Sequence, residues 1–147
     1  MRDMLRNKQV VHLGNLTLSG STPAASAWVD MRGFDACTIV MINNTITDAG
    51  DADGFTATAQ HSDTTAAADA AAIVADDSVD GSVAIQVTAD DADDAIAGGI
   101  GYKGNSRYLR LNAVGTTGTN ADVSVVAVLN KPHRAATTFI GTSVAAT

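Results

Sequence analysis

The segment GYKGNSRYLRL, Gly101 to Leu111, combines residue types that commonly anchor protein interfaces. In an extended strand, Tyr108 and Arg110 lie on one face, and Leu109 and Leu111 alternate with them on the other. Arginine and tyrosine often carry the binding energy of protein contacts, whereas leucines fill cores. The spacing therefore predicts a strand whose leucines are buried and whose Tyr–Arg pair faces outward or an interface.

Nucleic-acid binding is a second chemistry that this segment could support, because Lys103 and Arg107 add positive charge beside the aromatic rings. The chain as a whole has a net charge of −7, and that field opposes binding to phosphates. We therefore favour a protein partner and expect no direct nucleic-acid contact.

The histidines and nucleophiles do not form a recognisable catalytic pattern. His12, His61 and His133 are scattered, and no nucleophile elbow or phosphate-binding glycine loop is present. The run His61-Ser62-Asp63 has the residue types of a triad, but neighbouring residues of a strand point to opposite faces. We predict no catalytic site, no cofactor and no enzymatic activity.

Two Asp-rich stretches resemble parts of calcium loops. DAGDADG places Asp48, Asp51 and Asp53 at loop spacing, and DDADD covers Asp90–Asp94. The chain contains no Glu, so the bidentate ligand of an EF-hand is missing. We interpret both stretches as solvated turns and predict no metal site, although a weak Ca²⁺ site or a contact of DDADD with a neighbouring subunit stays open.

The charges are distributed unevenly along the sequence. Residues 33–102 sum to −13 and the rest to +6 with His neutral. This asymmetry indicates two different surfaces, one solvated and one able to meet an acidic partner, unless the two signs interleave in the fold. The basic residues are Arg2, Arg6, Lys8 and Arg32, then Lys103, Arg107, Arg110, Lys131 and Arg134.

The single cysteine and the N-terminus bear on the cellular compartment. Cys37 lies in an apolar run, where a buried free thiol is expected, and one Cys cannot form an internal disulfide. The N-terminal residues lack a continuous apolar stretch, and no run is long enough to cross a bilayer. We expect a soluble chain made in the cytoplasm, with no membrane partner.

Short alternating segments separated by Asp, Gly, Thr and Asn clusters predict a single all-β domain, a β-sandwich or barrel whose strand pairing stays open. All sixteen acidic residues are Asp, which favours turns over long helices. The segment Thr64–Asp77 is mostly loop with a short strand or turn near Ile73. Gln9–Leu18 is predicted as one strand with a break at Gly14 or as two short strands. The other predicted strands are Ala36–Asn43, Phe55–Ser62, Ser82–Ala89, Ile96–Tyr102, Arg107–Ala113 and Ala121–Leu129.

The last third of the chain resembles a family of small structural proteins of tailed-bacteriophage virions. In that family a Gly-Tyr-x-Gly-x-x-Arg-Tyr-hydrophobic-Arg segment precedes a final strand that closes on a Pro-[His/Arg] pair. The resemblance extends from about Trp28 to Arg134, although the alanine-rich Thr64–Asp77 lacks an expected aromatic residue. The matching residues are Gly101, Tyr102, Gly104, Arg107, Tyr108, Arg110, Pro132, His133 and Arg134.

The resemblance implies a single-domain antiparallel β-sandwich, jelly-roll-like, over residues 9–134, with flexible arms over 1–8 and 135–147. It also implies a head decoration, or cement, protein on the virion capsid surface, with the major capsid protein as partner and a self-assembled homotrimer as its state. The interface would use Lys103, Arg107, Tyr108 and Arg110 together with the basic termini, Arg2, Arg6, Lys8, Lys131 and Arg134. A tail or neck component is the alternative, followed by a receptor- or glycan-binding virion module.

Overall fold

The computed structural model describes residues 8–90 and 93–132, which form an all-β fold, as predicted. Two short 3-10 turns, Ala67–Asp69 and Ala75–Asp77, are the helical elements of these residues, and no helix among them is long and apolar enough to cross a membrane. The strands are β1 Lys8–Ser19, β2 Ala24–Ala25, β3 Val29–Asp30, β4 Phe34–Asp48, β5 Phe55–Ser62, β6 Ala71–Ala72, β7 Ala84–Val87, β8 Ile96–Tyr102, β9 Tyr108–Val114 and β10 Asn120–Pro132.

The strands form two antiparallel sheets that pack as a sandwich. Sheet A has the order β1-β10-β4-β8; in sheet B, β9 and β5 are central, β2 and β3 pair with β9, and β6 and β7 pair with β5. Counting β2 with β3 and β6 with β7 gives eight strand positions, and every connection between positions except β5 to β6 crosses to the other sheet. This is the arrangement of a jelly roll, as the resemblance implied.

Alternation along the strands builds the core between the sheets. On β4, Cys37, Ile39 and Met41 point inward, and on β10 the inward series includes Val123 and Val125; all five are at most 1% exposed. Strand β5 contributes small residues and β9 contributes leucines, so bulky and small side chains alternate across sheet B.

The break predicted at Gly14 is a β-bulge. The register between β1 and β10 shifts between His12 and Gly14, and Gly14 has φ +112°, a conformation that side chains disfavour. The bulge keeps Leu13 and Leu16 in the core although they are three residues apart. One strand with an irregularity is therefore the correct description of this segment.

The alanine-rich segment follows the prediction of a loop with a short strand near Ile73. Its two 3-10 turns flank β6. Ile73 is 3% exposed in the core, and its backbone N–H donates to the oxygen of Ala59. A single buried isoleucine closes this part of the core, in place of the aromatic residue expected from the resemblance.

The two ends of the sandwich carry different charges. At one end, which we call the acidic end, the turns bring together Asp residues and no Lys or Arg of the described ranges; they include Asp48, Asp51, Asp53, Asp90, Asp93 and Asp94. At the other, mixed-charge end, the cations stand beside several Asp residues. Charges of one sign therefore gather at the acidic end, and charges of both signs interleave at the mixed-charge end, so both arrangements that the sequence allowed are present.

The predicted domain boundaries stay a prediction. Strand β1 begins at Lys8 and β10 ends at Pro132. Residues 1–7 and 133–147, which contain Arg2, Arg6, His133 and Arg134 and nearly all of the two predicted arms, lie outside the described residues.

Candidate functional site

Strand β9 places the predicted anchor residues as the alternation required. Leu109 and Leu111 are 0% exposed in the core, while Tyr108 and Arg110 lie on the outer face of sheet B. Lys103 lies exposed in the turn between β8 and β9. The positions of these side chains confirm the predicted geometry, and their role in binding stays a prediction.

Arg110 is held by an aromatic ring rather than by a carboxylate. Its guanidinium carbon lies 4.4 Å from the ring centroid of Trp28, and its Nε donates to the side-chain oxygen of Gln60 at 2.9 Å. Trp28 is fixed in turn because its Nε1 donates to the backbone oxygen of Thr65 at 3.0 Å. Burial lowers the pKa of Arg110, but an arginine stays charged at neutral pH, so this face presents a cation stacked on a ring.

Arg107 is held differently, by an ion pair. Its Nη2 and Nε donate to the two carboxylate oxygens of Asp30 at 2.9 and 3.3 Å, and its guanidinium lies 4.8 Å from the Tyr108 ring centroid. The bond from Arg107 lowers the pKa of Asp30, and Arg32 adds a weaker contact at 3.7 Å. The charge of Arg107 is therefore already balanced within the chain.

Together Trp28, Asp30, Arg107, Tyr108 and Arg110 form what we call the outer cluster. The Trp28 and Tyr108 rings meet edge to face with centroids 6.5 Å apart. Aromatic rings and arginines held in one arrangement match the chemistry of interface hot spots, since little side-chain freedom remains to be lost on binding.

Sequence reasoning missed Trp28 and Asp30. The signal was the alternation Trp28-Val29-Asp30, in which Val29 is 3% exposed in the core and its neighbours face outward. Strand β3 is only two residues long, so this pattern was too short to be assigned a partner strand.

The other tyrosine of the segment has a structural role. Tyr102 is 0% exposed, and its hydroxyl accepts a bond from the backbone N–H of Ser106 and lies 3.0 Å from Nδ1 of His61. Gly104 covers the ring so closely that a Cβ there would lie 2.5 Å from the hydroxyl oxygen. The Gly-Tyr-x-Gly part of the segment therefore shapes the turn that leads into β9.

A cleft lies beside the outer cluster at the mixed-charge end. It has a volume of about 610 Å³ and is lined by the turns 31–35 and 103–107, which bring Arg32, Lys103 and Arg107 to its wall. Lys8 and Lys131 lie near the same end, on sheet A. Arg2, Arg6 and Arg134, the other predicted interface cations, are outside the described residues.

The trio His61-Ser62-Asp63 does not converge on a reactive centre. His61 faces the Tyr102 hydroxyl, the Ser62 hydroxyl accepts from the backbone of Thr64, and Asp63 accepts from the backbone N–H of Arg107 at 3.2 Å. Each of the three side chains thus stabilises a different local structure.

The Asp-rich loops use their carboxylates on the backbone. Asp90 and Asp93 accept from the N–H groups of Ala49 and Ile46, and Asp48 accepts from Gly50. Across residues 8–90 and 93–132, no group of three or more possible metal-ligating His, Cys or Asp side chains is found. Hydrogen bonds to backbone N–H groups therefore explain the positions of three of these carboxylates.

Cys37 is the buried free thiol that its apolar surroundings predicted. It is 1% exposed, and burial raises its pKa to about 12. At neutral pH the sulfur carries its proton, which makes it a poor nucleophile and metal ligand.

Comparison with known proteins concerns the fold. No protein-family model and no curated protein matches this chain. The PBSX exported protein XepA shares the fold with a TM-score of 0.54 and 12% identity over 85% of this chain, which spans 38% of that protein's length. A protein from the disulfide-linked pili of Bacillus endospore appendages is more distant, with a TM-score of 0.40 and 12% identity over 90% of this chain and 96% of that one.

Proposed function

We propose that this protein is a structural component of a phage particle that binds the outer surface of the major-capsid lattice and stabilises the head. The observation that carries the proposal is the outer cluster, in which Arg110 is stacked on Trp28 and presented outward beside Tyr108. Such a surface suits docking onto a protein better than it suits catalysis, because its groups are arranged for contact and not for proton transfer.

The fold supports a role in a particle. One solved structure with this fold is an exported protein of PBSX, and this likeness of fold supports a phage-related structural role. The paired strands of sheet B hold the outer cluster in a fixed arrangement.

The binding would be multivalent. Each copy would bury a modest interface around the outer cluster, and many copies on a repeating lattice would add their contacts through avidity. The acidic end would then face solvent, where like charges limit the aggregation of particles. The cations Arg2, Arg6, Lys8, Lys131 and Arg134 would add contacts to an acidic lattice surface, and a homotrimer would match local threefold positions.

Quantitative mass spectrometry of purified particles tests this function. The expected ratio of this chain to the major capsid protein is of order one, or of order one third if threefold positions alone are filled. A ratio far below these values would contradict decoration and favour the neck or tail, where few copies are needed. Absence from particles would contradict any virion role.

A further inference from the structure

The outer face of sheet A carries apolar side chains where an exposed sheet normally carries polar ones. Residues of β1, β10 and β4 form adjacent rows on it: Val10 pairs with Val128, and Val126 pairs with Val40. Ile42 continues the series, and all five side chains are half-buried rather than fully exposed. We call these five residues the valine face.

The outer face of sheet B shows what a solvated face of this protein looks like. There the outward residues of β5 and β9 include Thr56, Thr58, Gln60, Arg110 and Asn112. An antiparallel sheet with one wet side alternates apolar and polar residues, and sheet B follows that rule. Sheet A breaks it, because β4 and β10 place aliphatic residues on both sides.

The five residues of the valine face are uncharged, the exposed His12 lies opposite Val126 on the same side of the sheet, and the face has clear limits. Toward the acidic end it stops at a polar ladder, in which Ser124 bonds Asn15 at 2.7 Å and Asn44 at 2.9 Å. Toward the other end, Lys8 and Lys131 border a shallow depression of about 640 Å³. The patch therefore has the apolar centre and polar rim typical of an interface.

Strand β8 continues this side of the sheet with small residues. It pairs Gly99 with Val40 and Gly101 with Thr38, and the side chain of Val79 packs over Gly101. Ile96, at the start of β8, is 72% exposed, and Val79, next to Gly101, is 64% exposed. These exposed aliphatic groups extend the apolar surface to the edge of the sheet.

The size of the face decides what can cover it. Four strands about 4.8 Å apart make a surface about 19 Å wide, whereas a single extended segment covers a strip about 5 Å wide. A single extended segment would therefore leave most of the valine face exposed to water. A second sheet, packed about 10 Å away, is the structure that covers such a face completely.

We propose that the valine face binds the valine face of a second copy of this chain, so that two sandwiches pack through their A sheets. The valine face has no Asp, Lys or Arg, so two chains of net charge −7 repel each other least where these faces meet. A two-fold axis brings the same patch of both copies together. The whole outer face of sheet A, which adds the polar rim to the valine face, covers roughly 700 Å² in each copy, close to the ~800 Å² per partner of a standard interface.

The proposal concerns the free protein and is independent of capsid binding. Sheet A would be used between copies, and the outer cluster on sheet B would stay available on both sides of the pair. This pairing gives a dimer, in contrast to the trimer that lattice symmetry suggests, so the mass of the free protein separates the two.

Sedimentation or light scattering of the purified chain at micromolar concentration tests the pairing. We expect a mass of twice 14.9 kDa for the native protein and 14.9 kDa for Val126→Lys, which puts a charge at the centre of the face. The milder Val40→Thr/Val128→Thr variant keeps β-branched residues on the strands and should weaken the dimer at least tenfold.

The matched control is Thr58→Lys, an outward residue of β5 on sheet B, which should leave the dimer intact. Circular dichroism and thermal unfolding check that each variant folds. A native monomer, a native trimer, or a dimer that Val126→Lys and the double Thr variant leave unchanged would overturn the proposal. Because no particle is needed, failure here is distinct from failure of the decoration role.

Discussion

Arg107 and Arg110 are three positions apart and carry the same charge, yet the structure assigns them different tasks. Arg107 pairs with Asp30 and links β3 to the start of β9, while Arg110 stacks on Trp28 and bonds only a neutral amide among the described residues. An arginine whose charge is balanced internally has less to offer a partner than one whose charge is not. Arg110 is therefore the better candidate for an anchor.

Replacing Arg110 separates binding from folding. Arg110→Ala should weaken the affinity for capsids about thirtyfold, the loss of about 2 kcal/mol that marks a hot-spot residue, and should lower the thermal midpoint only slightly. Arg107→Ala should lower the thermal midpoint more, because it leaves Asp30 without its main partner. Occupancy is measured by titrating the chain onto bare capsids, and unfolding by circular dichroism.

Arg32→Ala is the control, since Arg32 is 76% exposed and does not contact the rings of the outer cluster. Equal occupancy for Arg110→Ala and Arg32→Ala would argue against the outer cluster as the docking surface.

At the scale of elements, alternation was a reliable guide to where strands lie and a poor guide to how far they run. Strands β5 and β8 match their predicted bounds, whereas β4 extends from Phe34 to Asp48, beyond the predicted Ala36–Asn43. The polar residues after Asn43 read as a turn, but they pair with β10, and their polarity reflects an outward position. Single-sequence patterns do not contain the partner strand that decides this.

The candidate site shows the same limit. Residues 107–110 could be found because they lie close together in sequence, but Asp30 and Arg107 are 77 positions apart and meet only through the pairing of β3 with β9. The valine face comes from nearly continuous apolar runs on β4 and β10, but the sequence did not reveal that these strands are neighbours.

The turn between β8 and β9 depends on Gly104. Gly104→Ala should lower stability by about 1–3 kcal/mol, the cost of overpacking, because its Cβ would lie 2.6 Å from the Cζ atom of Tyr102. Thermal unfolding measures the effect, and NMR of the His61 ring reports whether its contact with the Tyr102 hydroxyl is lost.

Gly99→Ala is the matched control, since its nearest contact would be an ordinary 3.4 Å. If both variants unfolded at the same temperature, Gly104 would not be required for the fit of the turn.

For the molecule as a whole, the acidic end is a concentration of like charge that folding must overcome. Its Asp residues come from two separate connections, β4 to β5 and β7 to β8, and no Lys or Arg of the described ranges lies among them. Some of the carboxylates accept hydrogen bonds from backbone N–H groups, and these bonds offset part of the repulsion between the carboxylates. The remaining repulsion is between exposed charges and is therefore sensitive to salt.

Salt should stabilise the protein. Raising NaCl from about 10 mM to about 200 mM shortens the screening length from ~30 Å to below 10 Å and should raise the thermal midpoint by a few degrees. Asp53→Asn/Asp94→Asn should reduce that gain, while Asp69→Asn, remote from the acidic end, should not. A midpoint that falls with salt would mean that attractive ion pairs outweigh this repulsion.

The first and last strands of the sandwich are neighbours, and this governs how the protein answers a mechanical load. Strand β1 begins and β10 ends at the same end of sheet A, with Lys8 opposite Asn130. A force that separates the two termini would therefore peel β1 away one hydrogen bond at a time, as a zipper opens, rather than shear the whole ladder at once. The protein pulled by the ends of these two strands would yield at low force, while a load spread over the faces of its sheets would meet the packed core.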